Sequence, residues 1–228
     1  MSRPVFVDLD GTLVPPPSTE VRLARLLAAE GRLGARQLAA WLAFLARHAR
    51  LGRHALRLDK AWLAGLDVAV VADAAQRLAA ALVPGSVRPA LCERLAAHRA
   101  AGDRLVLLTG APQPLAEAFA QRLGMEEAIG ALCACRGGRH LAAAPLRHPF
   151  GTAKRILAAA WCERHGARLE SACAYGDSRH DLALLAAVGT PVAVAPDRVL
   201  AAHARRRGWH IIPASGRATR DRGGSRTP

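Results

Sequence analysis

From Gly85 onward the chain alternates short apolar runs with helical stretches, and this alternation restricts its fold more than any other feature. Arg104-Leu105-Val106-Leu107-Leu108 reads as a buried strand, followed by a helix that can start at Pro112 and ends near Gly124. Ile129 to Cys135, the Gly137-Gly138 turn and His140-Leu141 predict a strand and a hairpin. Helices are expected over roughly 152–165, 180–187 and 197–207, and strands over 172–175, 191–195 and 209–212. Near the N-terminus, Val5-Phe6-Val7 is one more short apolar run, and it ends at Asp8. Strands separated by helices predict an α/β fold with a parallel sheet covered on both faces.

Asp8 and Thr109 each sit at the end of an expected strand, yet they lie 101 positions apart. A plain strand-helix-strand unit needs only ~30 residues. The excess is residues 16–83, which carry four successive helical patterns. Leu23, Leu26 and Leu27 share the first face, with Ser18 or Thr19 as N-cap. Leu38, Trp41, Leu42 and Leu45 mark the second, and Leu58, Trp62, Leu63 and Leu66 the third. The fourth starts after Asp67, carries Val70, Val71, Ala74, Leu78 and Leu82, and is expected to stop at Pro84-Gly85. The expected organisation is therefore a core of residues 1–15 and 84–213 with an all-helical insertion over 16–83. Such a block leaves the sheet at its C-terminal edge, where open α/β sheets bind ligands, so it can act as a lid. Residues 214–228 are rich in Gly, Ser and Arg and are expected to be disordered.

Composition narrows the function classes. The formal charge is +14, which raises the possibility of a nucleic-acid partner. Of 32 basic residues, however, all but Lys60 and Lys154 are Arg, a pattern that reads as compositional bias. The aromatics are not interleaved with basic residues as a stacking surface requires, so no nucleic-acid partner is expected. No apolar run reaches 18 residues, and the N-terminus lacks a leader pattern, so neither a membrane span nor secretion is expected. Five scattered cysteines (Cys92, Cys133, Cys135, Cys162 and Cys173) show no paired metal-ligand spacing and suit a reducing cytoplasm. A monomer or a homodimer is expected.

Four motifs carry the chemistry. Asp8-Leu9-Asp10-Gly11-Thr12 places two carboxylates two positions apart after a strand, so one can attack phosphorus while the other moves a proton. Leu108-Thr109-Gly110 offers a hydroxyl and a backbone amide at an expected helix start, a phosphate-binding corner. Lys154 is notable because basic positions in this chain are almost always Arg, and a compact ammonium can neutralise phosphate oxygens as a point charge. Gly176-Asp177-Ser178-Arg179-His180-Asp181 follows a strand and supplies two carboxylates suited to a hard cation such as Mg²⁺. Taken singly, the three carboxylate and hydroxyl motifs also fit an ordinary turn or helix cap, and Lys154 fits a chance lysine, as Lys60 shows.

Together, in this order and on these elements, the motifs resemble the signature of the haloacid dehalogenase-like (HAD) hydrolase superfamily, over nearly all of residues 4–213. The helical insertion after the first motif is similar to the phosphoserine phosphatase-like branch. The resemblance implies a Rossmann-like core and a Mg²⁺-dependent phosphatase acting on a small organic phosphomonoester. Asp8 would form an aspartyl-phosphate. Asp10 would protonate the leaving oxygen, activate water and lend its main-chain carbonyl to the metal. Thr109, Gly110 and Lys154 would hold the phosphoryl oxygens. Asp8, Asp10 and Asp177 would ligate Mg²⁺, with Asp181 and Thr12 in support.

Thr109-Gly110-Ala111-Pro112 departs from the Ser-Gly-Gly of true phosphoserine phosphatases, and Gly11-Thr12 stands where those enzymes often have Ser-Thr. Both weaken a phosphoserine assignment and leave phosphatase chemistry intact. Glu20, Arg22, Arg47, Arg53 and Arg57 are candidates to meet the leaving group, and His180 is read as a surface residue. Lys60 allows a second chemistry, phosphonate cleavage through an imine. A lipid phosphate hydrolase and a non-catalytic phosphate-binding module are further alternatives.

Overall fold

A computed structural model describes residues 2–52 and 59–214. Eight strands and eight α-helices are present among them. The strands are β1 (Pro4–Val7), β2 (Arg104–Pro112), β3 (Glu127–Ala131), β4 (Cys135–Arg136), β5 (Arg139–His140), β6 (Cys173–Gly176), β7 (Thr190–Val194) and β8 (His210–Ile212). The helices are α1 (Thr19–Ala29), α2 (Ala35–Arg47), α3 (Val68–Ser86), α4 (Pro89–Ala100), α5 (Gln113–Arg122), α6 (Thr152–Arg164), α7 (Leu182–Leu185) and α8 (Arg198–Arg207).

Six strands form one all-parallel sheet in the order β3-β2-β1-β6-β7-β8. The strands alternate their side chains between two buried faces, as the two-residue period of a strand requires. Val5, Val7, Leu105, Leu107, Tyr175 and Val192 enter one apolar cluster. Phe6, Val106, Leu108, Ala174 and Ala193 enter the other, against Trp161 of α6. Double-sided burial explains why these strands read as continuous apolar runs. The chain passes from β1 outward to β3 and then returns to the opposite side of β1 as β6. The crevice at the C-terminal ends of β1 and β6 is thus the topological switch point, where such sheets bind ligands.

The helical block shares the core of the sheet. Leu23 and Leu27 of α1, with Val71, Ala74, Ala75, Leu78 and Ala79 of α3, join the cluster that contains Val5 and Leu107. Ser18 caps α1, its hydroxyl accepting from Val21 N at 3.3 Å. By 19-residue length and mean hydropathy of 1.3, α3 could cross a membrane. It carries Asp73 and Arg77 at its middle, and one apolar face is packed into the core.

Three expectations are corrected. Among the described residues, the third helical pattern is one 3-10 turn, Ala61–Leu63, and Leu66 lies beyond it; Leu58 is outside those residues. The backbone that follows is committed to the β4–β5 hairpin instead. Gly65 N donates to His140 O at 2.8 Å, His140 N to Leu66 O at 3.0 Å and Val68 N to Gly138 O at 2.9 Å. The turn ends at Leu63 with Ala64 as its cap, and Gly65 follows at φ +78°, where a side chain would be strained. Second, α3 runs past Pro84 to Ser86, a shift of two residues at a helix end. Third, β2 extends through Thr109 to Pro112 with an irregular register after Leu108, and α5 starts only at Gln113. Thr109 therefore belongs to a strand end and not to a helix N-terminus. The expected tail over 214–228 lies, apart from Ala214, outside the described residues.

Candidate active site

Asp8 follows β1 directly, and its N–H continues the ladder to Tyr175 O of β6 at 3.1 Å. This bond brings the first and fourth motifs together at the switch point. Lys154, in the first turn of α6, is buried and places its Nζ 2.6 Å from Asp8 Oδ1 and 2.6 Å from Asp181 Oδ1. Asp181 Oδ2 accepts from Asp177 N at 3.2 Å, Ser178 N at 3.1 Å and Ser178 Oγ at 3.1 Å. Asp181 is thus fully engaged, and it organises the loop that presents Asp177. Thr12 Oγ1 stands between the two remaining carboxylates, 3.1 Å from Asp8 Oδ2 and 3.4 Å from Asp177 Oδ1.

Two glycines make this approach possible. Gly11 has φ +90°, and a Cβ there would fall 2.1 Å from Asp177 Oδ2. A Cβ on Gly176 would fall 2.5 Å from the Asp181 Cβ. Neither position admits a side chain without moving a site carboxylate. Thr109 is buried beside the same cleft and accepts from Ala111 N at 3.2 Å. Gly110 also lines the cleft.

Charge is unevenly balanced here. Carboxylate oxygens of Asp8, Asp177 and Asp181 lie within 4.8 Å of one another. Lys154 is the one cation bonded to them among the described residues. Burial pushes Asp8 up to about 6 against the pull of Lys154. Burial, reinforced by the charges of Asp8 and Asp181, pushes Asp177 up to about 8. Burial works against the Lys154 ammonium, but Asp181 and Asp8 outweigh it and hold Lys154 above the usual lysine range. The deficit of positive charge falls on Asp177, which has the weakest hydrogen-bond support of the three. Crowded hard oxygen donors with one cation too few fit a divalent ion such as Mg²⁺.

Asp10 is turned the other way. Its Oδ1 accepts from Thr19 N at 2.6 Å and its Oδ2 from Thr19 Oγ1 at 3.2 Å. Burial raises its pKa, opposed by the two Thr19 bonds. Asp10 therefore ties the first turn of α1 to the site.

A cleft of about 920 Å³ runs from these residues to the helical block. Asp8, Asp10, Thr109, Gly110, Lys154, Asp177 and Asp181 all line it. Glu20 lines it as well, whereas Arg22 donates to Pro15 O and Pro17 O, and Arg47 is exposed on α2. Arg53 and Arg57 lie outside the described residues. His180, read from sequence as a surface residue, is half-buried on the cleft wall and packs on Phe150 with ring centroids 4.2 Å apart. His148 and Phe150, which stack at 5.6 Å, form the same wall and have no sequence signal, since they belong to an irregular loop. Burial, helped by the charges of Lys60 and Lys154, lowers the His148 pKa to about 4. Lys60 stood out in the sequence as one of two lysines and as a candidate for imine chemistry. It is buried on the cap side and ion-paired with Glu20, whose other oxygen accepts from Trp62 Nε1 at 2.9 Å.

The family model for haloacid dehalogenase-like hydrolases matches residues 5–186, and the chain belongs to that family of enzymes. A curated relative, phosphoserine phosphatase SerB1 of Mycobacterium tuberculosis, is 29% identical over 218 residues, covering 92% of this chain and 70% of the relative. A protein of unknown function from Bordetella pertussis has a similar structure, with a TM-score of 0.77 at 25% identity, covering 92% of this chain and 97% of that one. A phosphoserine phosphatase structure solved as a phospho-aspartyl intermediate analogue shares the fold, with a TM-score of 0.62 at 18% identity over 94% of each chain.

Proposed function

We propose that this chain is a Mg²⁺-dependent phosphatase that hydrolyses organic phosphomonoesters through an aspartyl-phosphate on Asp8. One observation carries the reading: Lys154 bridges Asp8 and Asp181 at 2.6 Å beside an under-neutralised Asp177. Asp8 Oδ attacks phosphorus as the bond to the leaving oxygen breaks. Asp10, whose raised pKa suits a group that must hold a proton, gives that proton to the leaving oxygen. Asp10 then takes a proton from water, whose oxygen attacks phosphorus and returns Asp8 as a free carboxylate. Lys154, the Thr109 hydroxyl and the Gly110 amide hold the phosphoryl oxygens. Asp8, the Asp10 main-chain carbonyl and Asp177 would hold Mg²⁺, with Asp181 and Thr12 fixing their positions. The ion would supply charge neutralisation for phosphoryl transfer, which depends on positioning and electrostatics. The helical block over 16–83 acts as the lid, tied to the site through Asp10 and Thr19, and the enzyme works in the cytoplasm, where five unpaired cysteines are at home.

Turnover of p-nitrophenyl phosphate with Mg²⁺, lost in Asp8→Asn, is the expected result; no turnover by the pure protein would refute the reading. The relative's name favours a second reading, phosphoserine hydrolysis, which a direct comparison of O-phosphoserine with p-nitrophenyl phosphate tests. Phosphonate cleavage is disfavoured, because Lys60 Nζ is engaged by Glu20 and not presented to a carbonyl carbon.

A further inference from the structure

We propose that the cap side of the cleft binds an apolar hydrocarbon, so that the substrates of this enzyme are phosphate monoesters of apolar, chain-like alcohols. The proposal rests on the phosphatase reading of the strand end and names the substrate class for it. Val21 and Ala24 of α1, Leu33, Leu38 and Trp41 of α2 and its approach, and Trp62 line the wall opposite the carboxylates. Periodicity alone would put the apolar face of α2 into a core. Among its residues, however, only Phe44 is fully buried, while Leu38 is 57% exposed. Val21 of α1 is 42% exposed. Apolar side chains left wet on a concave wall mark a surface that a ligand covers.

Size and charge point the same way. At about 920 Å³ the cleft lies at the upper end of the ~300–1,000 Å³ that drug-sized ligands fill, far more than a phosphate and a short polar stub occupy. A zwitterionic leaving group would need complementary charges on the cap wall, and among the described residues these are scarce. The Glu20 carboxylate is already taken at both oxygens, by Lys60 and by Trp62 Nε1. Gln37 is spent inside the protein, donating to Ala64 O at 3.0 Å and accepting from Gly34 N at 3.0 Å. Asp59 sits at the base of the wall, buried, with Oδ1 accepting from Ala61 N at 2.8 Å and Oδ2 without a partner among the described residues. It offers a place for at most one donor, not for an amino-acid head group with its own carboxylate.

The test is a series of n-alkyl phosphates from methyl to decyl, each below its micellar concentration, with O-phosphoserine and p-nitrophenyl phosphate as references. The expected result is a kcat/KM that rises about threefold to fourfold per methylene, making octyl phosphate about 100-fold or more better than O-phosphoserine. Trp41→Ala and Leu38→Ala should flatten that slope. A flat or falling series, with O-phosphoserine preferred, overturns the proposal while p-nitrophenyl phosphate turnover keeps the phosphatase reading. Binding is measured separately by titrating methyl- to decylphosphonate against the tryptophan fluorescence of the unsubstituted protein, which does not depend on any variant folding. Affinity that rises with chain length without turnover of any ester would support the apolar wall and refute the phosphatase. Affinity independent of chain length would overturn the wall itself.

Discussion

At the strand end of the cleft, Asp8, Asp181 and Lys154 are buried, Asp177 is half-buried, and all four are held by named bonds of 2.6–3.4 Å. At the helical-block end, Val21, Leu38 and Trp41 stand partly exposed along the cleft. The two ends differ in what fixes them. Buried charges tolerate only one arrangement, because an unpaired one costs several kcal/mol (~3–5 when a partner is removed). An apolar wall asks only for volume and water exclusion, so it can be recut without touching the chemistry. On the proposed reading, reaction and substrate choice are thus separable in this molecule. Glu20–Lys60 is the exception, a charge pair placed on the apolar side.

Breaking the strand end should have the larger consequences. Asp8→Asn should lower kcat for p-nitrophenyl phosphate by about 10³–10⁴ or more, as loss of a nucleophile does, measured with thermal melting to show that the variant folds. Lys154→Met leaves Asp8 and Asp181 buried without their cation and should cost about 3–5 kcal/mol in urea unfolding. Mg²⁺ should stabilise the protein by about 2.7 kcal/mol at a hundredfold excess over its Kd, read as a rise in Tm, and Asp177→Asn should remove most of that rise. Gly11→Ala combines φ +90° with a contact of 2.1 Å to Asp177 Oδ2 and should cost about 1–3 kcal/mol along with activity.

The smallest effect belongs to the cap end. Burial pushes Asp59 up to about 6, from 3.8. A raised carboxyl pKa means that the folded state holds the proton more tightly. Its contribution is therefore fully present below pH 3.8 and is lost as pH rises through about 6. Asp59→Asn should remove that loss, making the variant up to about 2 kcal/mol more stable than the parent at pH 7.5 and no more stable at pH 4, by urea unfolding at both pH values.

Much of the strand end was legible because its elements announce themselves locally. Val5-Phe6-Val7 and Leu105–Leu108 are apolar on both faces, which only a sheet covered twice requires, and each leads to a site residue. Lys154 stood out through the chain's preference for Arg. Less legible was anything set by long-range pairing. The 3-10 turn at Ala61–Leu63 exists because the following backbone bonds to a hairpin some 70 residues later, as in Gly65 N to His140 O. Thr109 was placed at a helix start because Pro112 signals one, whereas the irregular β2–β3 register holds it in the strand. The apolar periodicity of α2 was read correctly as a face, but periodicity cannot say whether that face meets protein or a cleft. His148 and Phe150, on a loop without period, gave no signal.

The most direct test of Asp8 as the phosphorylated residue is to quench the enzyme in steady-state turnover into borohydride and sequence the N-terminal peptide by mass spectrometry. Reduction of an aspartyl-phosphate converts its carboxyl group to an alcohol, so the expected product is homoserine at position 8. An unchanged Asp8 during full turnover would contradict the mechanism, and a reduced imine on Lys60 in its place would assign the phosphonate chemistry instead.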